Sequence, residues 1–385
     1  MYHCGMVCAS RRAWPLASIL GVALLSVLAL SAVRSWRETT PPPPPVMEEP
    51  NPGAAEDLKA PIGGLIDNRS IPPRSHLDAV QAFVIGVPWA DLQPVQSGPI
   101  VEDNAIDQAL REVRRRNAER PGLDLKIKLR VFAGIHAPEW AKRLGGQPLW
   151  VTNPQNGDGG TIGRFWTGEF GRAYEELQLK LAEAYDDEPE IREVVISRCT
   201  TVFAEPFIRN TGDRATGKAL LAAGFTLEAD SRCHQEQIAA HKVWERTRSA
   251  LSLNPYQIVA PGMFGRFRDA DNNFTQQMMR HCRAVLGDRC ILQNNSLRYP
   301  PFETYAAMYA SMRQLGPPLA FQTATREKVG DLAGALEWAV QQGASSVEVF
   351  ARYEEDYPVE ALAAFDHELK SNRSSAEPAG DPIPR

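Results

Sequence analysis

The chain has 385 residues, 43% of them hydrophobic and 23% charged, enough apolar material for one large core or two ordinary ones. Its formal net charge of −5 gives no electrostatic footprint for nucleic acid. No cysteine or histidine spacing matches a zinc site, and nothing else in the chain calls for a metal or a cofactor.

Residues 1–37 form a cytoplasmic stub and an export element. Arg11 and Arg12 precede an apolar run over residues 15–33, about long enough to span a bilayer. The basic flank predicts a cytoplasmic N-terminus and translocation of everything after Arg34. The run reads as an uncleaved signal anchor or, with small residues near Ser31 and Ala32 as the cleavage site, as a signal peptide. "SRRAW" also resembles a twin-arginine export signal. Residues 38–58 contain "TTPPPPPVMEEPNPGAAED", a proline density that favours extended polyproline II geometry. A stalk is expected, carrying a secreted or membrane-anchored domain on the extracytoplasmic side.

Strand-like apolar runs and amphipathic helices alternate over residues 59–370. The predicted strands are "GGLID" (63–67), "AFVIGVPW" (82–89), "LKIKLRVFAG" (125–134), "EVVISRCTTVFAE" (193–205), "YQIVAPG" (256–262), "CILQNN" (290–295), "LAFQTA" (319–324) and "SSVEVF" (345–350). Helices are expected from Ile106, Glu169, Cys233, Asn273, Phe302, Asp331 and Val359, several behind an Asp or Asn cap and three ending at a glycine. The helix from Cys233 is read as continuing through "HKVWERTRSAL" to Leu251. Eight strands alternating with helices predict an α/β fold, a (β/α)8 TIM barrel. An open doubly wound sheet would want a Gly-rich phosphate loop after its first strand, and none is there. Residues 371–385 are polar and proline-containing and read as a disordered tail.

Cys4 and Cys8 precede the apolar run, leaving Cys199, Cys233, Cys282 and Cys290 in the exported part. Four cysteines allow three pairings, and free thiols are a further possibility. Short separation favours Cys282–Cys290, worth roughly 2.5 kcal/mol by loop closure. Cys199 and Cys233 are the other disulfide candidates.

In a barrel of this kind the site lies at the carboxyl ends of the strands. Strand two ends near Trp89 and Asp91, strand three near His136 and Trp140, strand four at Glu205, strand six at Asn294 and Asn295, and strand seven at Gln322; strand eight carries Glu348. Indoles with amides and carboxylates around a concave mouth suit a polyhydroxylated ligand, so a carbohydrate is the expected partner. Trp89, Asp91, His136, Trp140, Asn294, Asn295 and Gln322 are the candidate substrate-binding residues.

At "PWADLQP", "AGIHAPEW" and "AEPF" the chain resembles the clan A glycoside hydrolases, the (β/α)8 retaining enzymes that include many β-galactosidases and cellulases. The resemblance spans about residues 60–370. It implies a glycosidase acting on a β-linked glycan, with Glu205 in the place of the family's acid/base within Asn-Glu-Pro. The chain departs from the pattern in having Ala204 for the Asn, Gln322 for the strand-seven nucleophile, and "VEVF" where strand eight often has Trp. An amide cannot form the glycosyl ester. Glu348 is the candidate second carboxylate, because alternation turns Val347 and Val349 outward and Ser346, Glu348 and Phe350 inward. The structural alternative for Glu348 is a buried ion pair with Arg130 or Arg198. Two functions are thus expected: an extracytoplasmic glycoside hydrolase, or a catalytically degenerate barrel that binds glycan at the cell surface.

Overall fold

The computed structural model describes residues 57–374 apart from Pro154 and residues 261–269. The apolar N-terminal run, nearly all of the proline-rich linker and the end of the tail lie outside the described residues. Among the described residues no helix is long and apolar enough to cross a membrane.

Eight parallel strands close into a barrel: β1 (Gly64–Asp67), β2 (Val80–Pro88), β3 (Lys126–Phe132), β4 (Ile191–Val195), β5 (Arg248–Leu253), β6 (Cys290–Leu297), β7 (Leu319–Thr323) and β8 (Ser346–Val349). Each pairs with its neighbours in sequence, and β8 closes on β1 through Gly64↔Ser346 to Asp67↔Val349. Around it pack α1 (Ala105–Glu119), α2 (Gly168–Tyr185), α3 (Arg214–Ala222), α4 (Leu227–Ala240), α5 (Asn272–Leu286), α6 (Ala306–Leu315), α7 (Leu332–Gln341) and α8 (Val359–Ser374). The expected caps are in place. Asn104 Oδ1 accepts from Ile106 N at 2.7 Å while Asp107 accepts from Asn104 N at 3.1 Å, a reciprocal capping box at the start of α1; Asp271 and Asp331 cap α5 and α7. Both expected cysteine pairs form, Cys282–Cys290 and Cys199–Cys233.

Two strands differ from expectation. The fifth strand is Arg248–Leu253, inside the stretch read as helix, and Tyr256–Gln257 belongs to a separate two-stranded ribbon with Ala270–Asp271. The cause is local: α4 stops at Ala240, and the Asp186 carboxylate accepts from the backbone N–H groups of Glu245, Arg246 and Thr247 at 2.8, 3.0 and 2.8 Å. Capped there, the chain turns into the barrel wall instead of continuing as helix. The fourth strand ends at Val195, ten residues short of Glu205 (205 minus 195). At the far end, α8 runs past Lys370 to Ser374, into the stretch read as tail.

Val347 and Val349 face the outer apolar core, as alternation predicts. The barrel interior is divided. Two small apolar groups, Ile62, Ile66, Ala82 and Val84 on one side and Val195, Ala250, Ile291 and Ala320 on another, flank a buried polar layer. Lys128 Nζ lies 2.8 Å from Glu193 and 3.2 Å from Glu348 and donates to Gln293 Oε1 at 2.5 Å. Arg130 Nη2 lies 2.6 Å from the other Glu348 oxygen, and Gln293 Nε2 donates to Glu348 at 2.8 Å.

Burying such charges is tolerable only while each stays paired, and removing one partner from a buried pair costs about 3–5 kcal/mol. Lys128→Met is therefore expected to lower unfolding free energy in urea by about that amount, leaving Glu193 and Glu348 sharing less positive charge. Arg111→Ala, which breaks an exposed pair with Asp103, should cost less than about 1 kcal/mol. Equal losses from the two would contradict the role assigned to the buried layer.

Candidate active site

Glu205 lies in the irregular segment that follows β4. The apolar, β-branched run "VVISRCTTVF" has strand propensity, but its side chains are claimed by neighbours on both sides. Thr200 N donates to Arg198 O and Thr200 Oγ1 to Ser197 O, at 2.9 and 2.8 Å, which folds the backbone back on itself. Arg198 donates to the carbonyl oxygens of Phe165 and Thr167, and Cys199 is tied to Cys233 on α4. Beyond Glu205, Phe207 is fully buried and stacks on His234. The buried Arg209 guanidinium holds both oxygens of Asp230, at 2.9 and 2.7 Å, and donates to Cys199 O at 3.1 Å. Glu205 is thereby carried on a loop anchored before and after it.

Gly134 makes the remaining contact. Its φ is +54°, and a β-carbon there would lie 2.0 Å from Thr201 O, the oxygen that accepts from Ile135 N at 3.0 Å. The turn after β3 and the Glu205 loop approach as closely as backbone allows.

A cavity of about 850 Å³ opens at the carboxyl ends of the strands. Arg130 and Phe132 from β3, Glu205 from its loop, Asn295 from β6, and Gln322 and Thr323 from β7 are among the residues that wall it. Phe203 and the nearly fully buried Phe350 add apolar side chains to the lining. Arg130 Nη2 bridges Gln322 Oε1 at 3.1 Å and Glu348 at 2.6 Å, so it joins the cavity to the polar layer beneath.

Environment separates the two glutamates. Burial pushes the Glu205 carboxyl above the ordinary glutamate range; the Arg130 charge and a hydrogen bond with Asn295 oppose this, and the Glu348 charge adds to it. Burial acts the same way on Glu348, but the charges of Arg130 and Lys128, with hydrogen bonds from Arg130 and Gln293, outweigh it and bring that carboxyl below the ordinary range. One carboxyl is biased to hold a proton and the other to lack one.

Of the residues expected at the site, the structure brings Glu205, Asn295 and Gln322 to the cavity wall. Glu348 lies below it, fully buried, with both oxygens engaged, in the ion pair with Arg130 that is its structural alternative. Trp89 is in the core between β2 and the helices, edge-on to Trp140, Phe170 and Tyr174, and its indole N–H donates to Gln93 at 3.0 Å. Trp140, half-buried, donates to Gln93 O at 3.1 Å. Asp91 and His136 are exposed and outside the wall. Asn294 points the other way from its neighbour, accepting from Tyr309 on α6 at 3.0 Å and donating to Leu253 O at 2.7 Å. Aromatic contact in the cavity falls to Phe132, Phe203 and Phe350 in place of the two tryptophans.

Arg130, Phe132 and Thr323 were missed as site residues. The signal for the first two was in "KIKLRVF": Lys128, Arg130 and Phe132 share one face of a strand whose other face is Ile127, Leu129 and Val131. Charged side chains on the inward face of a barrel strand have to be paired below or presented to the mouth above.

No protein-family model matches the chain, and no curated protein matches it. Among solved structures it is similar to the catalytic domain of beta-amylase from Paenibacillus polymyxa, at 13% identity and TM-score 0.48, over 84% of this chain and 99% of that one. It is likewise similar to the beta-galactosidase from Rahnella sp. R3, at 14% identity and TM-score 0.49, over 83% of this chain and 58% of that one. Endo-glycoceramidase II from Rhodococcus sp. follows at 16% identity and TM-score 0.44, over 80% of each chain. Likeness at this level carries no argument for function, which rests on the side chains themselves.

The Gly134 contact gives a test of how the loop is held. Gly134→Ala should cost clearly more than the roughly 1–2 kcal/mol of left-handed backbone. Gly224→Ala, at φ +86° with nothing within 4 Å of its β-carbon, should cost only that amount. Thermal unfolding of the pair measures the difference, and equal losses would mean that the Thr201 contact constrains nothing.

Proposed function

We propose that the barrel is a glycoside hydrolase-type protein acting on a β-linked glycan or glycoside, with Glu205 as the general acid. The observation that carries this reading is a partly buried carboxyl, raised above its ordinary range, in the wall of a large cavity beside the amides of Asn295 and Gln322. Such a group can give its proton to the departing glycosidic oxygen as the bond to the anomeric carbon breaks. Water then supplies hydroxyl to that carbon, and its second proton restores the acid. Phenylalanine faces offer stacking surface for sugar rings, and the amides offer paired donors and acceptors for hydroxyls.

Glu348 is better suited to holding Arg130 and Gln293 than to attacking a sugar, because its oxygens are already occupied and none of it lines the cavity. That observation, with an amide at Gln322, favours a second reading in which the barrel binds glycan without turnover. The two buried disulfides support placing either version outside the cytoplasm, secreted or held at the membrane by the N-terminal run.

A screen of chromogenic β-glycosides with wild type and Glu205→Gln tests the reading. Turnover by the wild type, reduced about 10²–10⁴-fold in the variant, is the expected result. The activity should fall as pH rises through the elevated Glu205 pKa, since the acid must enter protonated, and this alkaline limb should vanish in the variant. If neither protein turns over any glycoside while both bind glycan, the binding function replaces the hydrolase.

A further inference from the structure

The cavity is basic although the chain is acidic. Six of its lining side chains are cationic, Arg69, Arg130, Arg298, Arg326, Lys328 and Arg352, while the only lining carboxylates among the described residues are Glu205 and Glu327. The net charge of −5 makes this a local feature and not a reflection of composition. Arg326 and Arg352 are occupied by Glu355 and Asp356 on the outer surface. Arg298 is not so occupied: its Nε donates to Ser296 O at 3.3 Å and its guanidinium lies 3.8 Å from the ring centre of Phe302, with no carboxylate partner among the described residues. Arg69 likewise makes no ion pair among the described residues.

Two polar atoms deeper in the wall point the same way. Arg130 is 6% exposed and Thr323 is 2% exposed, and both line the cavity. Arg130 Nε and Thr323 Oγ1 are buried and make no hydrogen bond among the described residues. Leaving buried donors unpaired is costly, and a donor on a guanidinium is best satisfied by an anion, whose planar oxygens match its fork. Glu348 already meets one face of Arg130, so the Nε edge and the unpaired hydroxyl remain for a ligand.

We infer that the glycan this cavity takes is anionic, carrying a carboxylate or sulfate that meets Arg130 and Thr323 in the wall, with Arg298 and Arg69 drawing it in at the rim. The inference rests on the reading that the cavity takes a glycan, and it deepens that reading by naming the substrate class. A uronate or sulfated sugar meets the cavity's phenylalanines through its ring and the guanidinium through its acidic group; a free inorganic anion meets only the second.

Titration calorimetry with the full chain tests it using four probes: a β-linked glucuronate-containing tetrasaccharide, the same tetrasaccharide with its carboxyls reduced to alcohols, a sulfated tetrasaccharide, and inorganic sulfate. An acidic tetrasaccharide, carboxylated or sulfated, should bind about tenfold or more tighter than the reduced one. Arg298→Gln with Arg69→Gln, at a half-buried and an exposed position outside the buried layer, should shrink that preference several-fold, read as the ratio of acidic to reduced affinity. Equal binding of acidic and reduced tetrasaccharides overturns the anionic assignment and leaves the glycan reading standing. Binding of inorganic sulfate alone, with no tetrasaccharide bound, overturns both. An undiminished preference in the double variant overturns the role given to the rim arginines.

Discussion

Glu348 puts a negative charge inside the barrel where solvent does not reach, and the arrangement around it follows from the need to neutralise it. Lys128 and Arg130 approach from β3 and Gln293 from β6. Lys128 in turn draws in Glu193 of β4, whose other oxygen accepts from Ile62 N at 2.9 Å. A charge on β8 thus fixes side chains from across the barrel. Its upper member, Arg130, donates through Nη2 to both Glu348 and Gln322, so the one guanidinium belongs to the layer and to the cavity wall. The layer that keeps the fold in register is also the floor of the site.

The same charges set the chemistry above. Arg130 brings Glu348 below its ordinary range and opposes the rise at Glu205, while burial still leaves Glu205 raised. Two glutamates in neighbouring environments therefore hold opposite protonation tendencies. Whether a second carboxylate serves beside Glu205 separates the two readings: Glu348 has both oxygens occupied, and the other lining carboxylate among the described residues, Glu327, is exposed. The hydrolase and binding readings differ on that point alone.

Much of the architecture was legible from alternation. Strands with one apolar face and one mixed face, such as Lys126–Phe132 and Ser346–Val349, could be placed and oriented, and the inward aim of Glu348 followed directly. The barrel strand Arg248–Leu253 was hidden because Asp186, more than fifty residues away in the chain, ends the preceding stretch by capping it. Glu205 lines the cavity at the barrel mouth although its expected position at a strand end was wrong: the loop reaches the mouth through a disulfide and the Arg209–Asp230 pair, neither of which leaves a local pattern. Trp89 and Trp140 show the opposite limit. Their position beyond β2 and β3 fitted a sugar platform, but packing against α2 turns them inward, and only the tertiary contacts decide which way an indole faces.

A glycan bound for hydrolysis in this cavity would have its scissile oxygen against Glu205. The most direct test is a crystal structure of Glu205→Gln with a bound β-linked acidic oligosaccharide. The expected result is a glycosidic oxygen at about 2.6–3.2 Å from the residue 205 side chain, a sugar ring over Phe132 or Phe350, and an acidic group on Arg130. An oligosaccharide bound elsewhere on the barrel, or seated in the cavity with residue 205 beyond hydrogen-bond reach of every glycosidic oxygen, would contradict it.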